Sequence, residues 1–287
     1  MNLVDWKAGG ELFEFGSHNI FFRQSRASKE VVLCMHGFPT ASFDYHKIWD
    51  RMAEKTAVLT YDMIGYGFSA KPTDIDYTTF GQADILEALI AHLKIERVHI
   101  LAHDYGDTVV QELLAREAEN RLGFSIGSVC LMNGGLFPET HRPILAQRLL
   151  LGPAGGVFGR VIPDRFLKKS LASVFAANTQ PTDGELNDFV TLFRHNGGSR
   201  VAHKLIRYML ERTRHRERWV SALQGIKQPF RLINGLEDPV SGRHLVARFR
   251  EVVPHQTDII ELTGIGHFPH FEVPDAVIKA YFAFRKM

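Results

Sequence analysis

The chain has 287 residues, 45% of them hydrophobic, and its 34 Lys and Arg nearly balance its 32 Asp and Glu. That length suits one large α/β domain with an insertion, or two domains, and the charge balance excludes nucleic acid or a membrane as a partner the composition demands. Cys34 and Cys130 lie in apolar runs without metal-type spacing, no apolar run approaches the ~18 residues that span a bilayer, and the N-terminus has no secretory signal pattern; the expectation is a cytoplasmic protein with free buried thiols, no metal and no cofactor.

In chain order, strands are predicted at Leu12–Phe15, Ile20–Gln24, Val31–Met35, Ala57–Tyr61, Val98–Ala102, Ser128–Met132, Phe230–Ile233 and Thr257–Glu261. The first two read as a hairpin turning at Gly16-Ser17-His18-Asn19. A capping box is predicted at Thr79-Phe80-Gly81-Gln82, opening a helix with Leu86, Leu89, Ile90 and Leu93 on one face. Another helix follows at Thr108 to Arg116, and the last carries Val277, Tyr281 and Phe284 after Pro274. The alternation fails between Asn133 and Phe230, where only helical patterns occur. The predicted organisation is a mostly parallel eight-stranded α/β sheet, residues 1–135 and 221–287, with a helical cap at 136–220 over the carboxyl ends of the strands. Residues 194–218 hold eight Lys and Arg against two Glu, either a solvated face or an anion-attracting rim.

Four motifs carry chemistry. The strand Val98–Ala102 runs into His103-Asp104-Tyr105-Gly106-Asp107, with small residues Ala102 and Gly106 flanking the turn. This is a nucleophile elbow with aspartate at its apex. A carboxylate there suits displacement at saturated carbon rather than acyl attack. His36-Gly37-Phe38-Pro39 follows a strand and places a tight loop beside the elbow; the main-chain N–H groups of Phe38 and Tyr105 are the expected oxyanion donors, and Phe38-Pro39 is a bond that can be cis. Asp238 stands just beyond the Phe230–Ile233 strand, with Glu237 as its rival; the other position for an acid, after Ser128–Met132, is the amide Asn133. His267 alone of 14 histidines lies in a glycine-rich loop between the last strand and last helix, with His270 as local competitor. Nucleophile, acid and base then follow in the order Asp104, Asp238, His267.

With these motifs, and Asp62-Met63-Ile64-Gly65-Tyr66-Gly67-Phe68-Ser69, the chain resembles an α/β-hydrolase of the epoxide hydrolase and haloalkane dehalogenase superfamily over essentially its whole length. It looks closer still to the mesoderm-specific transcript group, at His103–Asp107, at Asn133–Pro143, and at Tyr208, Arg212 and Arg218-Trp219. The resemblance implies an Asp104 ester intermediate hydrolysed by water that His267 activates. Epoxide hydrolysis is the favoured reaction, and it implies a pair of cap tyrosines, of which this cap has only Tyr208. His36, His103, Asp107 and His141 are further candidates for binding substrate or supplying a proton. Dehalogenation is disfavoured because Phe38 and Tyr105 occupy positions where dehalogenases usually carry halide-binding side chains. Ester or lactone hydrolysis and a catalytically quiet binding protein are the alternatives. The expected partner is a small apolar substrate, with no nucleic acid and no membrane, in a monomer or homodimer.

Overall fold

A computed structural model describes residues 1–287. All eight predicted strands form: β1 (Glu11–Phe15), β2 (His18–Gln24), β3 (Glu30–Met35), β4 (Val58–Tyr61), β5 (Arg97–His103), β6 (Ser125–Met132), β7 (Phe230–Gly235) and β8 (Ile259–Leu262). They make one sheet in the order β1-β2-β4-β3-β5-β6-β7-β8. β2 is antiparallel to β1 and to β4, and every other pair is parallel. The first hairpin is tighter than predicted: Phe15 pairs with His18, leaving Gly16 and Ser17 as a two-residue loop. Gly16 sits at φ 60°, as such loops require.

The central strands are buried on both faces. Along β3, Val31, Leu33 and Met35 enter the larger apolar core, and Val32 and Cys34 enter a second core behind the sheet. This explains why parallel strands read as unbroken apolar runs. Cys34 and Cys130 are free and buried.

Two predicted details change. The helix Thr79–His92 is capped by Thr78, whose hydroxyl accepts from the Gly81 N–H at 3.0 Å. The Thr79 hydroxyl instead donates to Glu211 at 2.8 Å, and Gln82 donates to the Ile64 carbonyl. The tertiary partner Glu211 is invisible to a local pattern. The sequence pattern places Val201, Leu205 and Tyr208 at helical spacing, and the structure breaks this stretch into Ala202–Leu205 and Tyr208–Arg214. Ile206 and Tyr208 are both fully buried, and an unbroken helix would point them about 160° apart.

Between β6 and β7 lie only helices, among them Leu145–Leu151, Gly155–Val161, Asp164–Ala172, Asp183–Arg194 and Arg216–Gln224. No helix is long and apolar enough to cross a membrane.

Candidate active site

β5 ends at His103, and the helix Tyr105–Ala118 begins one residue beyond Asp104. Asp104 itself takes φ 49°, ψ −108°, a strained position for a residue with a side chain, costing about 1–3 kcal/mol. The neighbours explain how the chain tolerates it. A Cβ on Gly106 would stand 2.7 Å from the Met35 carbonyl oxygen, and one on Gly37 would stand 2.7 Å from Asp104 Oδ2. Glycine at both places lets the β3 loop close on the elbow. The Phe38 N–H then donates to Asp104 Oδ2 at 2.8 Å, and the Phe38-Pro39 peptide is cis. Tyr105, the second expected donor, makes no side-chain hydrogen bond to Asp104 through its N–H.

His267 lies in the loop after β8, and its Nδ1 is 2.7 Å from Asp238 Oδ2. Asp238 also accepts from Asn133 Nδ2 at 3.0 Å, Ser241 Oγ at 2.8 Å and the Val240 N–H at 2.7 Å. Asn133 thus supports the acid rather than replacing it. The rival Glu237 pairs with Arg243 at the surface. Glu272 fixes the histidine loop, accepting from the Gly266 and Phe268 N–H groups at 2.9 and 3.0 Å and from Ala176 of the insertion at 3.2 Å.

The charges reinforce one another. Burial works against ionisation of Asp104, but the nearby His267 and Arg212 charges outweigh it and hold the carboxyl below its usual range. Burial also works against Asp238, yet His267 and its hydrogen bonds bring it down to about 2. His267 is raised to about 9, because Asp238 and then Asp104 overcome the penalty of burial. Both carboxylates thus favour the charged form of His267.

Two groups beside Asp104 appear in the sequence only as motif residues with no role assigned at the site. Arg212 is buried, with Nη2 3.2 Å from the Asp104 main-chain oxygen and 3.8 Å from Oδ1, and its Nε donates to Thr108 Oγ1 at 2.7 Å. Its spacing from Tyr208 could have revealed it, since residues four apart on a helix share a face. Its guanidinium lies 4.6 Å from the Tyr208 ring. Tyr208 also stacks on Tyr105 at 4.4 Å, and its buried hydroxyl has no hydrogen-bond partner. Burial and the Asp104 charge keep this phenol well above its usual pKa, with Gln147 pulling weakly the other way. The hydroxyl of Tyr66 is likewise buried and unpartnered, its ring 6.3 Å from those of Phe38 and Tyr105. It comes from the loop after β4, so a search for a second tyrosine confined to the cap misses it.

A narrow cavity of about 50 Å³ lies between sheet and insertion. Phe38, His267 and Phe268 line one side and Leu150, Leu167 and Leu171 the other, with Gln147 and Ser170 among its few polar groups.

The remaining predicted candidates divide. His36 is removed: its Nδ1 is 2.9 Å from the Gly37 carbonyl and its Nε2 accepts from the Met63 N–H at 3.0 Å, so both nitrogens are engaged in shaping the loop. His103 faces away from the cavity, with Nε2 2.7 Å from the His267 carbonyl, and burial lowers it to about 3. Asp107 is fully buried with neither oxygen hydrogen-bonded; burial, then the Asp104 charge, raises it well above the usual carboxyl range. His141 stays at the site, 3.5 Å from Arg212 Nη1, and burial with the Arg212 charge lowers it to about 4. The basic stretch divides: Arg212 is buried and Arg216 and Arg218 pair with Glu139 and Glu112, while Arg200, Arg207 and Arg214 are exposed and have no carboxylate partner.

One cluster has a metal-like donor set. Ligand atoms of Asp44, His103 and His270 lie within 4.8 Å of one another, all buried. Asp44 is pushed well up and His270 well down, chiefly by burial.

The α/β-hydrolase family model matches residues 31–280. The chain belongs to the α/β-hydrolase family. It is 39% identical over 98% of its length to the mesoderm-specific transcript protein of Mus musculus, covering 87% of that protein. It is 32% identical to a putative hydrolase, LipZ, of Mycobacterium tuberculosis, over 96% of this chain and 95% of the other. These similarities make it a hydrolase of the mesoderm-specific transcript-like group. Among solved structures, a loop variant of haloalkane dehalogenase from Bradyrhizobium elkanii superposes with a TM-score of 0.80, at 22% identity, over 96% of this chain and 95% of the other. At that identity the likeness concerns the fold alone.

Proposed function

We propose that this α/β-hydrolase opens epoxides to diols without a cofactor, through an ester on Asp104. The observation carrying this reading is the unpartnered, buried Tyr208 hydroxyl packed against the elbow, beside an ionised carboxylate. Epoxide opening generates an alkoxide, and a phenol kept protonated is suited to supply its proton. Neither a halide nor a carboxylic ester needs that hydroxyl for its first step.

In the first step an Asp104 oxygen attacks an epoxide carbon, that carbon's bond to the ring oxygen breaks, and the ring oxygen takes the Tyr208 proton. The His267 imidazolium returns a proton to the tyrosinate through water and becomes neutral. Ester formation has by then removed the Asp104 negative charge, one of the influences that raise His267. Neutral His267, held by Asp238, takes a proton from water as that water attacks the ester carbonyl carbon. The Phe38 N–H serves the developing oxyanion, and such a donor contributes about 2.7–4 kcal/mol. Collapse releases the diol, the carboxyl proton passing to the departing oxygen, and leaves Asp104 ionised and His267 charged. The apolar cavity indicates an apolar substrate.

A single turnover in heavy-oxygen water tests this route. The label is expected in the Asp104 carboxylate rather than in the first diol formed. Label going directly into that diol contradicts an ester intermediate.

A further inference from the structure

We propose that Asp44, His103 and His270 bind one zinc ion in the interior, beneath the loops that carry Asp104 and His267. Ligand atoms of the three side chains lie within 4.8 Å of one another, and all three residues are fully buried. Three atoms no more than 4.8 Å apart share a point about 2.8 Å or less from each, and zinc bonds to nitrogen and oxygen run about 2.0–2.2 Å. Closure on the ion therefore needs each donor to move inward by about 0.8 Å or less.

The lone pairs are free for it. The His267 carbonyl can only accept, so His103 Nε2, 2.7 Å away, is assigned that ring's proton. Nδ1 of the neutral ring is left with a lone pair, buried and without a hydrogen-bond partner. Both ring nitrogens of His270 are likewise buried and unpartnered. Asp44 Oδ2 accepts from the Thr40 hydroxyl, and Oδ1 is buried with no partner. Buried polar atoms are nearly always satisfied, so this gathering of orphans calls for an occupant. A water molecule has two hydrogens and serves at most two of the three residues' lone pairs, whereas a cation accepts all three. Two imidazoles and a carboxylate suit zinc, and the His267 carbonyl and Thr40 hydroxyl are outer contacts of the kind that orient metal ligands. The ligands come from three distant segments, so no metal-type spacing marks the site in the sequence.

The ion acts as a clamp. Asp44 lies on the short helix Ser42–Tyr45 that follows the Phe38 loop, His103 immediately precedes Asp104, and His270 is three residues beyond His267. One ion thereby ties together the segments that hold the Phe38 N–H, Asp104 and His267. The Tyr45 ring stacks on His270 at 4.6 Å, and its hydroxyl donates to the Met35 and Leu101 carbonyls at 2.9 and 3.1 Å, anchoring this cluster to β3 and β5. None of the three ligands lines the cavity, so the role is structural and does not depend on what Asp104 attacks.

Metal analysis and thermal unfolding of the full chain test this. Wild type is dialysed against a chelator, titrated with zinc and desalted. It is expected to retain one zinc per chain, and its Tm to rise by about 5 °C or more with zinc a hundredfold above Kd. His270→Gln and Asp44→Asn, folded by circular dichroism, are each expected to retain less than a tenth of that zinc and to lose the zinc-dependent rise. Wild type that retains no zinc and shows no rise overturns the proposal. So does zinc retention that is unchanged in the variants, which would place the ion on other histidines. Where a variant fails to fold, diffraction from wild-type crystals at the zinc absorption edge decides. An anomalous peak among Asp44, His103 and His270 supports the site, and a peak only elsewhere, or none, overturns it.

Discussion

Tyr208→Phe separates the role of the cap phenol from its place in the core. The hydroxyl has no close hydrogen-bond partner, Gln147 acting on it only as the weakest influence, so its removal breaks at most that contact. The ring keeps its stacking on Tyr105 and its contact with the Arg212 guanidinium. An unsatisfied buried polar group costs about 1–3 kcal/mol, so the variant should be at least as stable as wild type. For a chain of this size each kcal/mol moves Tm by about 2–4 °C, which thermal unfolding resolves. Activity should change in the opposite sense. Loss of a general acid lowers the rate of epoxide opening by about 10²–10⁴. Steady-state turnover of styrene oxide measures that loss, and turnover of an activated ester or a haloalkane provides the control. The expected result is a folded, undiminished Tm, a collapse of epoxide turnover and little change in any residual control activity. Epoxide turnover equal to wild type in a stable variant refutes the assignment of the acid to Tyr208. The same experiment on Tyr66→Phe shows whether the phenol from the β4 loop shares the role.

Arg212→Met removes the cation beside Asp104 and should cost about 1.5–3 kcal/mol, since it deletes charged hydrogen bonds to Thr108 and the Asp104 carbonyl. Without that charge the Asp104 pKa rises, so the acid limb of the pH–activity profile should move to higher pH; an unmoved limb would argue against the coupling. His267 has a folded pKa of about 9, above its ordinary unfolded value near 6.5. Its contribution to stability is therefore fully present below about 6.5 and fades as pH rises through about 9. Thermal unfolding of wild type and His267→Gln across that window should show the wild type losing its advantage as pH rises, and parallel curves would contradict the raised pKa. Asp107→Asn replaces a carboxyl that burial and the Asp104 charge push toward its neutral form with an amide of the same shape. Stability should change by less than about 1 kcal/mol and turnover little; a large loss of either would show that Asp107 is ionised in the native state.

The frame of the site could be read from residues because each part depends on a local pattern. A strand of apolar residues, a small residue on either side of Asp104, and a loop rich in glycine before His267 are all short-range signals. The same holds for the helical insertion, where strand periodicity simply stops after Asn133. What the sequence concealed depends on contacts between distant segments. Thr79 reads as a box residue until Glu211 arrives from 132 positions away. Arg212 reads as part of a basic surface until its helix folds over the elbow, where it is buried against Asp104. His36 has the chemistry of a proton donor, yet the Gly37 carbonyl and Met63 amide use both of its nitrogens. Tyr66 belongs to a motif that matches the superfamily as a string, and only the sheet order brings its loop beside the β3 loop and the elbow. Side chains that act through shape and charge at long range are therefore the ones a linear reading misplaces.

Covalent trapping tests the central claim most directly. His267→Ala keeps the Asp104 carboxylate and Tyr208 but lacks the imidazole proposed to free the ester. Incubation with styrene oxide, digestion and mass spectrometry should show the mass of one epoxide added to the peptide containing Asp104, and no such addition when Asp104→Asn is introduced as well. An unmodified Asp104 peptide, or an adduct that survives loss of Asp104, would contradict the ester intermediate.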